Sequence, residues 1–387
     1  MNNFIILVLD GVGVGELSDA AQYGDSGANT LANMAEKLGG LNLPNLQAAG
    51  LGNIIPIKGI KKIDKPLASF GKMAEKSKGK DSTSGHWEIG GLIVDQEFPL
   101  YSEGFPERII GKFLAETGIK KILGNKPASG TEIIKELGCE HYTTGYPIVY
   151  TSGDSVFQIA AHEEIIPLER LYEICKIARH KVMIDGDAVG RIIARPFIGK
   201  PGEFTRTTNR KDFSLNPFGD TILDVMSNAG IKTYGIGKIN DLFNYKGIQN
   251  SIHTKSNLEG IKKIIEVNTT AEKSLIFANL VDFDVYYGHR NDPPGFHKAL
   301  QEFDERLPSI LDSLDNSDCL IITSDHGNDP TSVSTDHSRE HVPLLFYRKG
   351  DASRDLGIRE SFADVAQTVC SFFTVNNFLA GKSFLNN

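Results

Sequence analysis

The sequence is short of paired cysteines, of long apolar runs and of positive charge, and each shortage narrows what the protein can be. Cys139, Cys175, Cys319 and Cys370 stand alone, with no CxxC pair. Three of them have apolar residues close by, which suits reduced, buried thiols in a cytoplasmic protein. No stretch approaches the roughly 18 consecutive apolar residues that a membrane span requires. The first apolar run, Phe4 to Leu9, has no basic region before it and no cleavage site after it. It ends in Asp10-Gly11 and reads as a first core strand, not a secretory leader. Lys and Arg number 41 against 49 Asp and Glu, a net charge of −8. That argues against wholesale nucleic-acid binding, which needs a basic face, but leaves room for a local basic pocket and an anionic substrate.

What is present is ordinary in bulk. The 387 residues are 40% hydrophobic and 23% charged, enough for a sizeable core and for two or three domains. There is no internal repeat and no low-complexity tract. Phe4–Leu9, Lys232–Gly237, Leu275–Val281 and Leu320–Thr323 read as buried strands. Thr30–Leu38 carries Leu31, Met34, Ala35 and Leu38 at helical spacing, and Gly39-Gly40 end it. Leu300, Phe303, Leu307, Ile310, Leu311 and Leu314 line one helix face, in which Pro308 predicts a kink. Helices alternating with buried strands imply an α/β fold with a mostly parallel sheet covered on both faces. Chemistry-bearing residues occur before about residue 90 and again after about 280. The stretch between has its own expected strands (Ile148–Tyr150, Val156–Ala160, Val182–Ile184, Arg191–Ala194) and a helix begun by Pro167. The expected arrangement is a discontinuous core, 1–99 with 216–387, and an inserted smaller α+β cap domain, 100–215. Two connections let such an insertion hinge over a site and exclude water.

Metal-seeking side chains cluster where apolar runs stop. The strand ending at Thr323 is followed by Ser324-Asp325-His326-Gly327-Asn328-Asp329 and then Asp336-His337. A second cluster, Asp282-Phe283-Asp284 with His289, follows another apolar run. Ligands in open α/β sheets gather at the carboxyl ends of strands, and mixed carboxylate and imidazole donors suit a divalent cation. Asp284 and His289, joined by His337, make one candidate site; Asp325 and His326, joined by Asp10 and Thr83, make another. Asp10 alone also fits a tight turn, with Gly11 and Gly13 allowing close backbone approach. Asp282, Asp329, Asp336, His341 and His86 are expected to support the ligands or shape turns. Lys80-Asp81-Ser82-Thr83-Ser84-Gly85-His86-Trp87-Glu88 holds three hydroxyl residues in a row and the single tryptophan. A metal-activated alcohol and a helix N-cap both suit this segment, and a helix amino end also favours phosphate. Arg191, Arg206, Arg210 and Lys238 are candidates for anchoring a phosphate, with solvated surface cations as the plain alternative. Lys58–Lys80 is expected to be a solvated face or mobile loop.

Taken together, Asp10-Gly-Val-Gly, the Lys80–Glu88 segment, Val281-Asp-Phe-Asp with Gly288-His-Arg, Ser324-Asp-His-Gly-Asn-Asp and Thr335-Asp-His-Ser-Arg resemble the prokaryotic-type phosphopentomutases of the alkaline phosphatase superfamily. The resemblance runs through essentially the whole chain. It implies an alkaline-phosphatase-like core and two Mn²⁺ ions, one on Asp284, His289 and His337, the other on Asp10, Asp325 and His326. It implies Thr83 as the phosphorylated nucleophile, Ser152 and Asp154 as sugar contacts, and Arg191, Arg206 and Lys238 near the distal phosphate. The reaction implied interconverts ribose or 2-deoxyribose 1-phosphate with the 5-phosphate through a bisphosphate, in nucleoside catabolism, with priming by a sugar bisphosphate such as glucose 1,6-bisphosphate. Only small pentose phosphates are expected as partners, with neither nucleic acid nor membrane. The rivals are a phosphomonoesterase or phosphodiesterase on the same core, a phosphoglycerate mutase, and a phosphosugar sensor without turnover.

Overall fold

The computed structural model describes residues 2–152 and 155–385. Asp154, an expected sugar contact, lies outside the described residues. The chain divides into two compact units, Met1–Gln96 with Pro217–Asn387, and Glu97–Asn216. Strands β1 (Phe4–Leu9) and β2 (Ser69–Met73) precede the second unit. It contains β3 (Leu123–Pro127), β4 (Ile148–Thr151), β5 (Val156–His162), β6 (Arg191–Ile198), β7 (Thr205–Arg206) and β8 (Lys211–Ser214). Strands β9 (Lys232–Ile236), β10 (Asn250–Ile252), β11 (Ser274–Leu280), β12 (Cys319–Thr323), β13 (Val342–Arg348) and β14 (Asp355–Arg359) follow.

The first unit is an eight-stranded sheet in the order β10-β9-β11-β1-β12-β13-β2-β14. It is parallel from β10 to β12, and β13 runs against both of its neighbours. This is the mostly parallel α/β core expected from the alternation of helix and strand. β1 is buried along its whole length because it lies between β11 and β12 and is covered on both faces. Ile5, Leu7 and Leu9 join Leu31, Met34, Phe296, Leu300 and Phe303 in one core. On the other face Phe4 meets Phe372 of the helix Asp364–Phe373 edge-on. The helix Thr30–Leu38 starts at Asn29, whose side chain accepts the N–H of Ala32, and stops at Gly39 in the left-handed region.

Pro308 does not end its helix, which runs from Pro293 to Asp312. A proline removes the N–H that would reach the carbonyl four residues back. Here that carbonyl, Asp304 O, accepts from Asn45 Nδ2 at 2.9 Å. The Lys58–Lys80 stretch is likewise not a loop throughout. It contains β2, which pairs with β13 and β14 inside the sheet. Ser69, Gly71 and Met73 are buried while the residues between them, Lys72 included, are partly exposed, the alternation of a strand.

The second unit is a six-stranded sheet, β3-β4-β5-β6-β7, with β8 also on β6. The helices Glu107–Thr117 and Leu168–Ile177 cover one face through Ile109, Phe113, Leu171 and Ile174, against Phe157, Ile159 and Ile192. The helix Gly130–Thr144 packs on the other through Ile133 and Ile134, against Ile148, Tyr150, Ala160 and Phe197. Val182–Ile184, expected as a strand, is none. The helix ending at Ile177 passes into a wider turn over Ala178–Val182, and Val182 and Met183 are buried there. A short apolar run reads the same at the end of a buried helix as in a strand.

Candidate active site

The sheet register dictates where the first site forms. β11, β1 and β12 are neighbours and parallel, with Leu9 opposite Leu280 and Val8 opposite Thr323. Their carboxyl ends therefore release Asp10, the Asp282–Asp284 turn and Asp325-His326 side by side. The loops are pinned together: Gly11 N donates to Asp325 Oδ1 at 3.3 Å and Val12 N to Ser324 Oγ at 2.8 Å. Gly11 has φ 78°, the left-handed region that glycine adopts freely. Glu340, expected from no motif, ties in two further segments. Its carboxylate accepts from Gly15 N, Thr30 N, Thr30 Oγ1 and Ser338 Oγ.

Two groups of donors result. In one, Asp284 Oδ2 lies 3.2 Å from His289 Nε2, Asp284 Oδ1 lies 3.4 Å from His337 Nε2, and the two imidazole Nε2 atoms are 3.2 Å apart. In the other, His326 Nε2 lies 3.5 Å from Asp10 Oδ1 and 3.3 Å from Asp325 Oδ2. His326 also approaches Asp284 and His337 closely enough to share a cation with them, so it stands between the groups rather than in one alone. All three imidazoles turn Nδ1 to a backbone carbonyl: Thr335 O for His289, Lys80 O for His337, Gly327 O for His326. That leaves each Nε2 lone pair facing the carboxylates, the orientation a metal ligand needs.

The buried charges do not balance without a cation. Both carboxylate oxygens of Asp10 are buried and receive no hydrogen bond. Burial and the neighbouring Asp325 push Asp10 up to about 7. Burial opposes the charge of His337, yet Asp284, Asp336 and Asp10 lift it to about 10. Burial pulls His326 down to about 4. Two facing Nε2 atoms, orphaned carboxylate oxygens and mixed O/N donors are what a pair of divalent cations would satisfy. The residues present fit that group.

The hydroxyl-rich segment is the start of a helix, Ser82–Ile89, capped by Asp81, which accepts from Thr83 N and Ser84 N. This helix is pressed onto the Asp325 loop. A Cβ on Gly85 would fall 2.1 Å from Asp325 O, so only glycine fits. Ser82 Oγ lies 3.1 Å from His326 Nε2, and Thr83 is the next residue of the same buried turn. His86 takes a hydrogen bond from Asn279 Nδ2 at Nε2. Its Nδ1–H therefore lies between Ser82 O at 2.8 Å and Asp325 Oδ2 at 3.0 Å. Asn328 was not singled out in the sequence, though it stands inside the Asp-His-Gly-Asn segment; its Nδ2 donates to Asp284 Oδ1 at 2.7 Å.

The expected substrate residues are divided between the units. Lys238 belongs to the first unit, with Nζ 3.7 Å from Asp10 Oδ2. Arg191 and Arg206 belong to the second: Arg191 Nη1 lies 3.8 Å from Asp212, and Arg206 lines a cavity with Arg195 and Arg210. Ser152 follows β4 and is partly buried.

With this geometry in hand, the chain can be set beside known proteins. The profile of the Metalloenzyme superfamily matches residues 2–377. The phosphopentomutase of Caldanaerobacter subterraneus subsp. tengcongensis is 58% identical over 387 residues, covering 100% of this chain and 98% of that one. This chain belongs to the phosphopentomutase family. Family members from Dictyoglomus thermophilum and Acetivibrio thermocellus are 58% and 55% identical, again over 100% of this chain and over 98% and 100% of theirs. Among solved structures, PH0037 of Pyrococcus horikoshii shares the fold, with a TM-score of 0.50 and 14% identity over 97% of this chain and 98% of that one. For a member of the phosphopentomutases, the donor groups above are candidates for the metal centre that the superfamily name implies. No helix among the described residues is long and apolar enough to cross a membrane.

Proposed function

We propose that this chain is a phosphopentomutase that interconverts ribose 1-phosphate or 2-deoxyribose 1-phosphate with the corresponding 5-phosphate, in nucleoside catabolism in the cytoplasm. The observation that carries this reading is the docking of the Ser82–Ile89 helix, through Gly85, against the loop of Asp325 and His326. It brings the alcohol-bearing first turn to the acid and imidazole donors. Asp284, His289 and His337 would hold one Mn²⁺ and Asp10, Asp325 and His326 the other. Such a pair supplies Lewis acidity, neutralising phosphoryl oxygens and lowering the pKa of an alcohol.

Thr83 is the nucleophile in this reading. Its place in the first turn of a helix sets a phosphothreonine near the positive end of the helix. The free hydroxyl of a pentose monophosphate takes the phosphoryl group from Thr83, giving a pentose bisphosphate. The bisphosphate turns over or exchanges, and its other phosphoryl group returns to Thr83, leaving the isomer. No phosphate is gained or lost. Ser152 and Asp154 hold the sugar; Arg191, Arg206 and Lys238 hold the distal phosphate. The inserted unit, 100–215, acts as a cap that keeps water from the phosphothreonine. A sugar bisphosphate such as glucose 1,6-bisphosphate primes the enzyme by phosphorylating Thr83.

The test is intact-protein mass spectrometry before and after glucose 1,6-bisphosphate, with peptide mapping, alongside product analysis from ribose 5-phosphate. One phosphoryl group on Thr83 and formation of the 1-phosphate are expected. Steady release of inorganic phosphate without isomer would make the protein a phosphatase instead.

A further inference from the structure

Arg339 is a cation almost without access to water, 2% exposed. Its guanidinium joins separate segments of the first unit. Nη1 donates to Glu75 Oε2 and to Gly79 O, both at 2.7 Å. Nη2 donates to Glu75 O at 3.1 Å and to Asp19 Oδ2 at 3.2 Å, and Nε donates to Asp19 Oδ1 at 3.2 Å. The guanidinium lies over the Tyr23 ring, 5.1 Å from its centroid, and Tyr23 Oη accepts from Gly79 N at 3.2 Å. Every N–H of the guanidinium is therefore taken by the protein, which leaves none for a substrate. A buried ion pair is a poor source of stability, because desolvation offsets the attraction. A planar fork that fixes several acceptors at once is a good source of geometry.

What the fork fixes is the approach to Thr83. Gly79, at φ 104°, opens the turn that leads into the helix Ser82–Ile89. Asp81 caps that helix, accepting from Thr83 N at 2.9 Å and from Ser84 N at 3.1 Å. Ser84 Oγ lies 2.9 Å from Asp81 O and 3.2 Å from Glu75 Oε1, on the carboxyl that Arg339 holds. A second line starts from the Arg339 main chain. Its N–H and Lys80 Nζ both donate to Asp25 Oδ2, at 2.9 Å and 3.0 Å. Lys80 O in turn accepts from His337 Nδ1 at 2.9 Å. Residues 79–81 thus stand between the proposed nucleophile and a proposed metal ligand, and one arginine pins them through its side chain and its main chain.

We propose that Arg339 is a positioning residue for phosphoryl transfer, holding residues 79–81 so that Thr83 and the His337 ring keep their places relative to each other. The assignment deepens the mutase reading and rests on it for Thr83 as the nucleophile. Its mechanical part, the ordering of this turn by Arg339, stands apart from turnover. A reacting group displaced by about 1 Å can lose about a hundredfold in rate, so the shape of the fork matters here more than its charge. A lysine keeps the charge but cannot reach two carboxylates and two carbonyls together.

The experiment compares the full-length parent, saturated with Mn²⁺, with Arg339→Lys and Ser84→Ala, each checked by its melting curve to be folded at the assay temperature. In Arg339→Lys, kcat on ribose 5-phosphate should fall about 30- to 100-fold at a KM within about twofold of the parent. Labelling of Thr83 by glucose 1,6-bisphosphate should slow by a similar factor. Amide hydrogen exchange should rise in peptides covering 75–89 and stay parental in β1 and in the second unit, a local change that general destabilisation would not produce. Mn²⁺ affinity, measured by calorimetry, should fall about tenfold or more as His337 loses its ordered partner. Ser84→Ala removes one hydroxyl and should fold like the parent, with about a tenfold loss of kcat at unchanged KM; it decides the matter if Arg339→Lys does not fold. Parental kcat in folded Arg339→Lys, or in Ser84→Ala where it alone folds, overturns the assignment and leaves the mutase reading standing. A rise in exchange spread through the whole chain overturns it too, making Arg339 a structural residue only. A parent that never isomerises ribose 5-phosphate sinks the mutase reading instead, and local exchange and Mn²⁺ affinity then decide whether Arg339 orders the turn.

Discussion

Around Asp10, buried carboxylate oxygens lack donors; around Tyr150, guanidiniums crowd a buried hydroxyl that lacks an acceptor. The first region lies at the carboxyl ends of parallel strands and collects acids and imidazoles. The second lies on a sheet face and a helix amino end and collects arginines. Each is incomplete in the opposite sense, one wanting cations and the other an anion. Neither deficit is a packing fault, since both regions sit within well-formed cores. The contrast teaches that unsatisfied polar atoms, read with their sign, report the charge of the missing ligand.

The comparison can be broken most severely at Thr83. Thr83→Ala should cut mutase turnover by about four orders of magnitude or more while changing stability by no more than about 1 kcal/mol. Near-parental turnover would remove the nucleophile from the first region. Metal removal comes next. At about a hundredfold saturation, a bound ion that leaves on unfolding contributes about 2.7 kcal/mol. EDTA should therefore lower the melting temperature yet leave phosphate binding at the Arg206 cavity in place.

The pH dependence of metal binding follows from His337. Its pKa without a cation is about 10, and only the neutral ring can bind metal. Between neutral pH and that value the metal must displace a proton. Affinity should rise by up to about tenfold per pH unit, with proton release seen by calorimetry in buffers of different ionisation enthalpy. A flat profile would place His337 outside the ligand set. A milder change is Asn328→Ala, which takes the amide donor from Asp284 and should weaken metal binding about 10- to 100-fold without abolishing it. The smallest effect is expected from Lys126→Ala. Lys126 is an exposed cation of the second unit paired with Glu136. Phosphate affinity should be unchanged and stability altered by less than about 1 kcal/mol; a clear loss of affinity would mean that general positive charge, not the Arg206 cavity, attracts the anion.

The first region was legible in the sequence because its residues follow apolar strands directly, and strand ends in a parallel sheet converge. Asp284, Asp325 and His326 could be named as candidates from that rule, whereas Asp10 taken alone fitted a tight turn as well. The β2 strand was hidden by its lysines, because its pairing with β13 and β14 is a property of the sheet, not of composition. Asn45, the donor that takes up the carbonyl left free by Pro308, could not be foreseen because it lies far away in sequence. Asn328 and Glu340 were missed because a supporting side chain has no signature until its partner is in place. Tyr150 and Arg195 were illegible for a further reason: their meeting depends on the pairing of β4, β5 and β6 and on a helix joining them from elsewhere.

The position of β1 has a consequence for biosynthesis. It leaves the ribosome before the other strands of its sheet, and its neighbours β11 and β12 are made about 270 and 315 residues later, as the pairing of Phe4 with Leu275 and Cys319 requires. At typical translation speeds Phe4–Leu9 waits roughly 15 to 55 seconds for its first partner. The second unit, whose strands lie within one continuous stretch, can fold during that delay. Nascent chains arrested before residue 275 should therefore carry a protease-resistant insert and an apolar, chaperone-binding amino-terminal segment.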